Sequence, residues 1–446
     1  MPELASGRRL IAFAYTEPAA GSNVRGIETT AQAEADNRGL RLTGEKIWSG
    51  SSAWAHYLHS FAREKDVEGA PLGISDFLLR RGMAGFSTGP EADTMGLRAT
   101  VQNKVHFRAV ALAQTDRIGA PGQGLEVAQD AMRFTRLCLA ALCLGAMKEM
   151  LRLRYAFVKK RQVITGRLLD HPSVRLNLLA ASSAITALDA LVGATARLAD
   201  SAEGAPEDLY SALKILAPEL LWQVTDETLQ QLGGRGYMEN NRVAQVLRDA
   251  RAIRVFEGPT EAVRHHLGAR VTSQPQALEP LLRADLGGQD AARQLTAALT
   301  DLAGGNGQDG SDSAADNRDL RLLRNQQAGE AAAWAIAFAA LEGQTTGTVV
   351  TAATTRSLTW VKTKLDEPLA RLTRRAALEP ALPAGEAFQS LIDSYESAIG
   401  PAARQRPGME QQLDAELRPD PGQRDGTAPV PAAPATPSPD DHRLHG

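Results

Sequence analysis

The hydrophobic pattern changes period at Gly119-Ala120-Pro121-Gly122-Gln123-Gly124, and that switch divides the chain into a strand-forming part and a helix-forming part. Before it the apolar segments are short: Leu10 to Tyr15, Leu40 to Trp48, Tyr57 to Ala62, Ile74 to Leu79 and Lys104 to Val110. Clusters of Gly, Pro, Asn and Asp separate them, which predicts a β-barrel or sandwich of about 100 residues. After it Leu125, Ala128, Met132, Leu139, Leu142, Met147 and Leu151 recur every three or four positions, and a long buried helix reaches Lys160. Pro172 opens a second helix to about Ala199, and a third runs from Ala205 to Leu232. With the helix after Pro259 these make a four-helix bundle.

Further helical pattern covers residues 276–303, 318–342, 347–375 and 385–399, and Trp334, Phe338 and Leu341 form a face that needs a partner surface. The Gly/Asp/Ser stretch from Gly304 to Asn317 is a flexible linker by composition. From Ala402 onward, Pro, Ala and charged residues without period predict a disordered tail. The expectation is an α+β multidomain chain: a β-domain over 1–118, a bundle over 119–270, an additional helical domain over 271–401 and a tail over 402–446.

With 49 basic and 52 acidic residues the net charge is -3, which gives no field favouring nucleic acid. No apolar run reads as a membrane span, and no residue pattern calls for a metal. Cys138 and Cys143 are the two cysteines and point to different faces of one helix, which disfavours a disulfide and fits a reducing, cytoplasmic setting. No secretory signal pattern opens the chain.

Three stretches carry candidate chemistry. Thr16-Glu17-Pro18-Ala19-Ala20-Gly21-Ser22-Asn23 ends a strand in a small-residue loop rich in polar donors. Leu42-Thr43-Gly44-Glu45-Lys46-Ile47-Trp48-Ser49-Gly50-Ser51 puts an aromatic among small polar residues at a strand end; core packing is the plainer reading of that Trp. The third runs from Gln230 to Arg264. Gly233, Gly234 and Gly236 follow a helix, Arg248, Asp249 and Arg251 form a charged cluster, and Ile253, Val255 and Phe256 lead into the lone acid Glu257 before Gly258 and Pro259. A helix C-cap, a surface ion-pair cluster and an acid at a helix N-terminus would account for these pieces separately.

Together, in this order, the motifs resemble those of the acyl-CoA dehydrogenases. Met95-Gly96-Leu97-Arg98-Ala99-Thr100 and Val105-His106-Phe107 continue the likeness, which covers residues 1 to 270. The resemblance implies FAD as cofactor, with Phe13, Tyr15, Thr16, Ser22, Trp48 and Ser49 lining the flavin. Ser49-Gly50 stands where the family has Ile-Thr, so Ser49 or Ser51 could substitute for the missing hydroxyl. Arg161, Ile164 and His171 fall on the segment that meets the diphosphate and adenosine side. Gln230, Gly233 and Gly234 meet the adenosine half of an FAD held mainly by a neighbouring subunit, in a homodimer or homotetramer. Thr260 and Glu261 could contact the flavin by backbone, Pro259 having replaced the family's Thr.

The activity implied is dehydrogenation of an acyl-CoA thioester to the trans-2-enoyl product, with Glu257 taking the α-proton and flavin N5 accepting hydride. The Glu257 N–H would hold the thioester carbonyl. Ser22, Arg136 and Gly258 are the substrate-side candidates, and Thr135 occupies the position some relatives use for the base. An electron-transferring flavoprotein would receive the electrons. An acyl-CoA oxidase, or a non-catalytic subunit of a related assembly, are the alternative readings, and the family's N-terminal helical domain is expected to be absent.

Overall fold

A computed structural model describes residues 2–36, 38–304, 314–345, 351–373 and 385–399. The chain divides into two compact units, Met1–Pro380 and Ala381–Gly446. In the first, a short helix α1 (Pro2–Ala5) precedes a mixed sheet of eight strands: β1 (Ile11–Ala14), β2 (Thr30–Ala33), β3 (Gly39–Gly50), β4 (Tyr57–Lys65), β5 (Pro71–Arg80), β6 (Phe86–Glu91), β7 (Gln102–Ala113) and β8 (Arg117–Ile118). Their order is β6-β7-β3-β2-β4-β5-β8, with β1 also on β4. Alternating side chains of β7 (Val105, Phe107), β3 (Leu40, Leu42) and β5 (Phe77, Leu79), with Leu58 of β4, turn inward and form one apolar core.

One detail of the register positions the site. β1 pairs in parallel with Tyr57 to Ser60 of β4, whereas β2 pairs in parallel with Arg63 to Lys65 of the same strand. The two short strands therefore lie end to end on one edge of β4, and the loop 15–29 leaves the sheet at the break between them. Ala20 and Ile27 of that loop pack with Phe61 and Ile74 against Ala128 of the first long helix, joining sheet and helices.

That helix, α2 (Gly124–Val158), is followed by the small hairpin β9 (Gln162–Val163) and β10 (Gly166–Arg167), then α3 (Pro172–Ala199), α4 (Glu207–Leu232), α5 (Gly234–Tyr237), α6 (Arg242–Ile253) and α7 (Thr260–Ser273). Helix α6 was not expected from the sequence. Asn241 caps it by accepting from the Val243 N–H at 3.0 Å. By length and composition α3 is apolar enough to cross a membrane, but half of its most apolar stretch is buried inside the protein.

The remaining helices of this unit are α8 (Gln289–Gly304), α9 (Ala314–Gly343) and α10 (Ala352–Thr373), with a π-helical turn at Leu281–Asp285. They do not form a separate domain beginning at residue 271. One hydrophobic core runs unbroken from Ala140 of α2 to Leu372 of α10. Every residue from Ala331 to Leu341 is buried, so α9 is a central helix rather than a surface one. Close crossing with α7 is possible because glycines face the contact on both sides: a Cβ at Gly268 would stand 1.7 Å from the Asn325 carbonyl oxygen, and one at Gly329 1.9 Å from that of Arg264. Trp334, Phe338 and Leu341 are buried, with Trp334 edge-on to Trp360 at 5.8 Å.

Gly304 and Ala314 to Asn317, read from composition as linker, belong to α8 and α9; residues 305–313 between them lie outside the described residues. In the second unit the described element is helix α11 (Gly385–Ile399), on which Phe388, Leu391, Ile392 and Tyr395 are exposed. The expected tail over 402–446 also lies outside the described residues.

Candidate active site

The break between β1 and β2 gathers one group of candidate residues. Phe13 and Tyr15 stack around Phe61, with ring centroids 5.1 Å and 4.7 Å from it, and Tyr15 meets it edge-on. Burial pushes the Tyr15 hydroxyl up to about 12, so it stays protonated. The loop is tied to β3 by a 2.8 Å hydrogen bond from the Ile47 N–H to the Thr16 carbonyl. Beneath it lies a buried ion pair the sequence did not single out. Lys46 Nζ donates to Glu17 at 2.6 Å and to the Tyr15 carbonyl at 3.3 Å, while Glu17 also accepts from the Glu28 and Thr29 N–H groups. Burial alone would raise the Glu17 carboxyl, but the Lys46 charge and these hydrogen bonds outweigh it and hold it below the ordinary carboxylate value. The pair fixes the path of the loop from its polar side, as Ala20 and Ile27 do from the apolar one.

At the end of β3 the register with β7 shifts between Lys46 and Ser49, and Trp48 takes a left-handed backbone with φ 52°. The bulge turns the indole out of the sheet, leaving it 62% exposed, so Trp48 is not a core residue. Ser49 goes the other way. It is buried, and its hydroxyl donates to the Phe13 carbonyl at 2.9 Å. Ser51 spends its hydroxyl on the Thr100 carbonyl at 3.1 Å. Neither therefore supplies a free hydroxyl donor in place of the missing Thr; both hold the strand end. Ser22 is exposed near the tip of the loop.

The second group surrounds Glu257. Helix α6 ends at Ile253, α7 starts at Thr260, and between them Glu257 has φ 57° and Gly258 φ 88°. A left-handed conformation at a residue with a Cβ is strained, and here it is held by the flanking helices. The Glu257 Oε2 atom is buried without a hydrogen-bond partner. Among the described residues no acceptor takes the Glu257 backbone N–H. Arg136, from α2, donates through Nη2 to the Glu257 carbonyl at 3.4 Å and lies close to Gly258. Burial raises the Glu257 carboxyl above its ordinary value, against the opposing pull of Arg136 and Lys214. A half-buried carboxylate whose Oε2 is buried without a partner, next to a free N–H, can take a proton from a carbon acid and support the resulting oxyanion.

Neighbouring positions are committed elsewhere. Thr135 donates back to the Ala131 carbonyl at 3.0 Å. Thr260 is buried, its N–H bonded to the Arg254 carbonyl at 3.2 Å and its hydroxyl to Glu219 at 3.1 Å. It cannot offer a ligand the backbone contact expected of it. Glu261 is exposed in the first turn of α7, and its carbonyl accepts from Gln326 at 2.6 Å.

The third group faces outward. Arg161, Ile164 and His171 are exposed on and beside the β9–β10 hairpin, and Gln230, Gly233 and Gly234 are exposed at the end of α4. Gly233, with φ 59° and ψ -143°, closes α4 in a conformation reserved for glycine. At Gly234 the backbone does not demand glycine, and a Cβ there would meet nothing within 4 Å of its own chain. Glycine at such a position leaves room for something that approaches from outside. Among the described residues no group of three or more His, Cys, Asp or Glu could hold a metal ion.

Known proteins show the same organisation. Residues 12–110 match the family model of the acyl-CoA dehydrogenase middle domain, and residues 122–272 that of the acyl-CoA dehydrogenase C-terminal domain. The human mitochondrial very long-chain specific acyl-CoA dehydrogenase is 28% identical over 272 residues, 59% of this chain and 41% of that protein. The chain thus spans well under half the length of that relative. The solved structure of butyryl-CoA dehydrogenase from Megasphaera elsdenii is 28% identical with a TM-score of 0.57, over 60% of this chain and 70% of the other. An acyl-CoA dehydrogenase from Bacillus anthracis, complexed with FAD, is similar in fold over 89% of this chain and 72% of its own, with a TM-score of 0.68 and 21% identity.

Proposed function

The chain belongs to the acyl-CoA dehydrogenase family, and we propose that it catalyses FAD-dependent α,β-dehydrogenation of an acyl-CoA thioester with Glu257 as the base. The observation that carries this reading is the buried, unpartnered Oε2 of Glu257 in a strained turn beside Arg136. A carboxylate used only structurally would be bonded or solvated. FAD, when bound, supplies the hydride acceptor.

The chain's own groups fit that cofactor. Trp48 is turned outward at the sheet break, Arg161 offers a guanidinium suited to a diphosphate, and the open Cβ position at Gly234 admits a close backbone approach. We assign the thioester carbonyl to the Glu257 N–H, which stabilises charge on its oxygen as Glu257 removes the α-proton. Arg136 holds the turn by its carbonyl side, so the carboxylate and the N–H keep a fixed relation. Gln230, Gly233 and Gly234 serve an FAD of a second subunit, and a separate electron-transferring flavoprotein receives the electrons.

Anaerobic mixing of the FAD-loaded protein with acyl-CoA thioesters of graded chain length tests the reading. The oxidised flavin band should bleach with at least one of them, and Glu257→Gln should slow the bleaching roughly 10²- to 10⁴-fold at unchanged flavin content. Bleaching within about threefold of the parent would place the base elsewhere. Fast reoxidation of the reduced protein by oxygen would make it an oxidase.

A further inference from the structure

A lysine stands where a helix bundle ordinarily carries an apolar side chain. From Asp208 to Pro218 every residue of α4 is buried, and Lys214, 2% exposed, sits in the middle of that run. Burying an ammonium is costly unless something specific receives it. Its acceptor is the Ile253 carbonyl, 2.8 Å from Nζ, at the last residue of α6. A helix C-terminus has carbonyls without intrahelical donors and the negative end of the helix dipole, so a cation is well placed there. Four residues further on stands Glu257. Lys214 and the carboxylate interact electrostatically, each opposing the effect of burial on the other.

We infer that Lys214 is a positioning residue for Glu257: it fastens the carbonyl end of α6 from which the Glu257 turn springs, and its buried charge favours the ionised carboxylate against the effect of burial. The inference rests on the reading of Glu257 as the base, since an ionised carboxylate is what abstracts a proton. The groups facing Lys214 are Arg136 and Cys143 from α2, Glu257 from the turn and Glu219 from α4 itself. Those facing Glu257 are Arg136 and Lys214. Burial lowers Arg136 from the ordinary arginine value, against the pull of Glu257 and Glu207, but a guanidinium stays charged in proteins, which leaves Lys214 as the cation whose state varies. Burial first, and then Arg136, brings its ammonium down to about 8. The carboxylate is therefore supported by two cations at neutral pH and by one in mild alkali.

The test reads Glu257 directly, without turnover. Protein labelled with ¹³C-glutamate at the side-chain carboxyl is titrated by NMR, the Glu257 resonance being identified by its loss in Glu257→Gln. Lys214→Met removes the charge and keeps the bulk, and the Glu257 titration should move about one pH unit upward. Lys214→Gln keeps a donor for the Ile253 carbonyl without a charge, and should show the same displacement. In the parent, the Glu257 resonance should show a second inflection near pH 8 as Lys214 loses its proton. This last measurement needs no variant, so it decides even if both substitutions fail to fold. A parent resonance flat through that range, or a Glu257 titration unmoved in either folded variant, overturns the inference. The two readings fail separately: Glu257→Gln with undiminished flavin reduction removes the base assignment, whereas an unmoved titration removes only the role of Lys214.

Discussion

The Asp249 carboxylate accepts a 2.7 Å hydrogen bond from the Leu97 backbone N–H, joining helix α6 to the sheet unit across 152 residues of sequence. Gly96 packs so closely there that a Cβ would stand 2.4 Å from the carbonyl carbon of Arg248. Two motifs that lie far apart in the chain are thus halves of one contact. It holds the helix carrying the Glu257 turn against the unit carrying Trp48 and Tyr15.

Asp249→Ala should accordingly destabilise the protein by about 1 kcal/mol, the usual worth of a hydrogen bond that is only partly shielded from water. Gly96→Val should do more harm, because its side chain would meet backbone. Urea titration measures both. An unchanged midpoint for Gly96→Val would mean that the sheet and helix α6 do not meet closely in solution.

The Lys46–Glu17 pair leads to a stability prediction with a definite pH limb. Lys46→Met strands the Glu17 carboxylate in the sheet, and should cost about 3–5 kcal/mol at neutral pH. Because the Glu17 carboxyl is held below its ordinary 4.5, the stability it contributes is fully present above that value and is lost as pH falls through the lowered one. The acid limb should be shallower in Lys46→Met than in the parent. Parallel limbs in thermal melts from pH 7 to pH 2 would argue against this role.

Much of the fold was legible, because the change of hydrophobic period at Gly119–Gly124 and the caps at Pro172 and Gly233 are local signals. The contrast lies in what depends on partners distant in sequence. Helix α6 was hidden because Arg248, Asp249 and Arg251 interrupt its apolar count; Asn241 as a cap, with Val243, Ala250 and Ile253 on one face, is the sign that marks it. The turn at Glu257 was visible from Gly258 and Pro259, but its unpartnered oxygen was not. Ser49 and Thr260 looked available to a ligand in sequence, and only the structure shows their groups already bonded to Phe13, Glu219 and Arg254. Lys214 left one trace, a lysine within an apolar run.

The α7–α9 crossing makes the later helices part of the core. Gly329→Ala would force a methyl into the Arg264 carbonyl and should destabilise by about 1–3 kcal/mol, the range for overpacking. Truncation after Val271 would expose Val263, Leu267 and Val271 together with the faces of α3 and α4 that α9 covers. The truncated protein should aggregate or melt well below the parent in scanning calorimetry. An unchanged melting temperature would show that the helices beyond α7 are dispensable.

Gly234→Val separates an outward-facing role from an internal one. A Cβ at this exposed position meets nothing within 4 Å of its own chain, so an isolated protomer should tolerate the substitution within about 0.5 kcal/mol, as exposed sites do. If Gly234 meets the FAD of a second subunit, as we propose, flavin content and dimer population should fall together. Light scattering and the flavin-to-protein absorbance ratio measure both. Full occupancy in a monomeric variant would contradict the assignment.

Glu257 should be a residue the fold would be more stable without. Burial raises its carboxyl above 4.5 in the folded state, so folding takes up a proton between the unfolded and folded values. Stability therefore falls as pH rises through that window, and the whole cost is present above it. Glu257→Gln, a neutral group of the same size, avoids the cost. It should melt at a higher temperature than the parent at pH 7, and the two curves should converge below pH 4.5, where the parent carboxyl is neutral in both states. Flavin reduction should run the opposite way in the parent, rising with pH as the carboxylate appears, and should stay low throughout in the variant. A variant that melts below the parent at pH 7 would mean that Glu257 supports the fold, and would remove the main physical reason for reading it as a base.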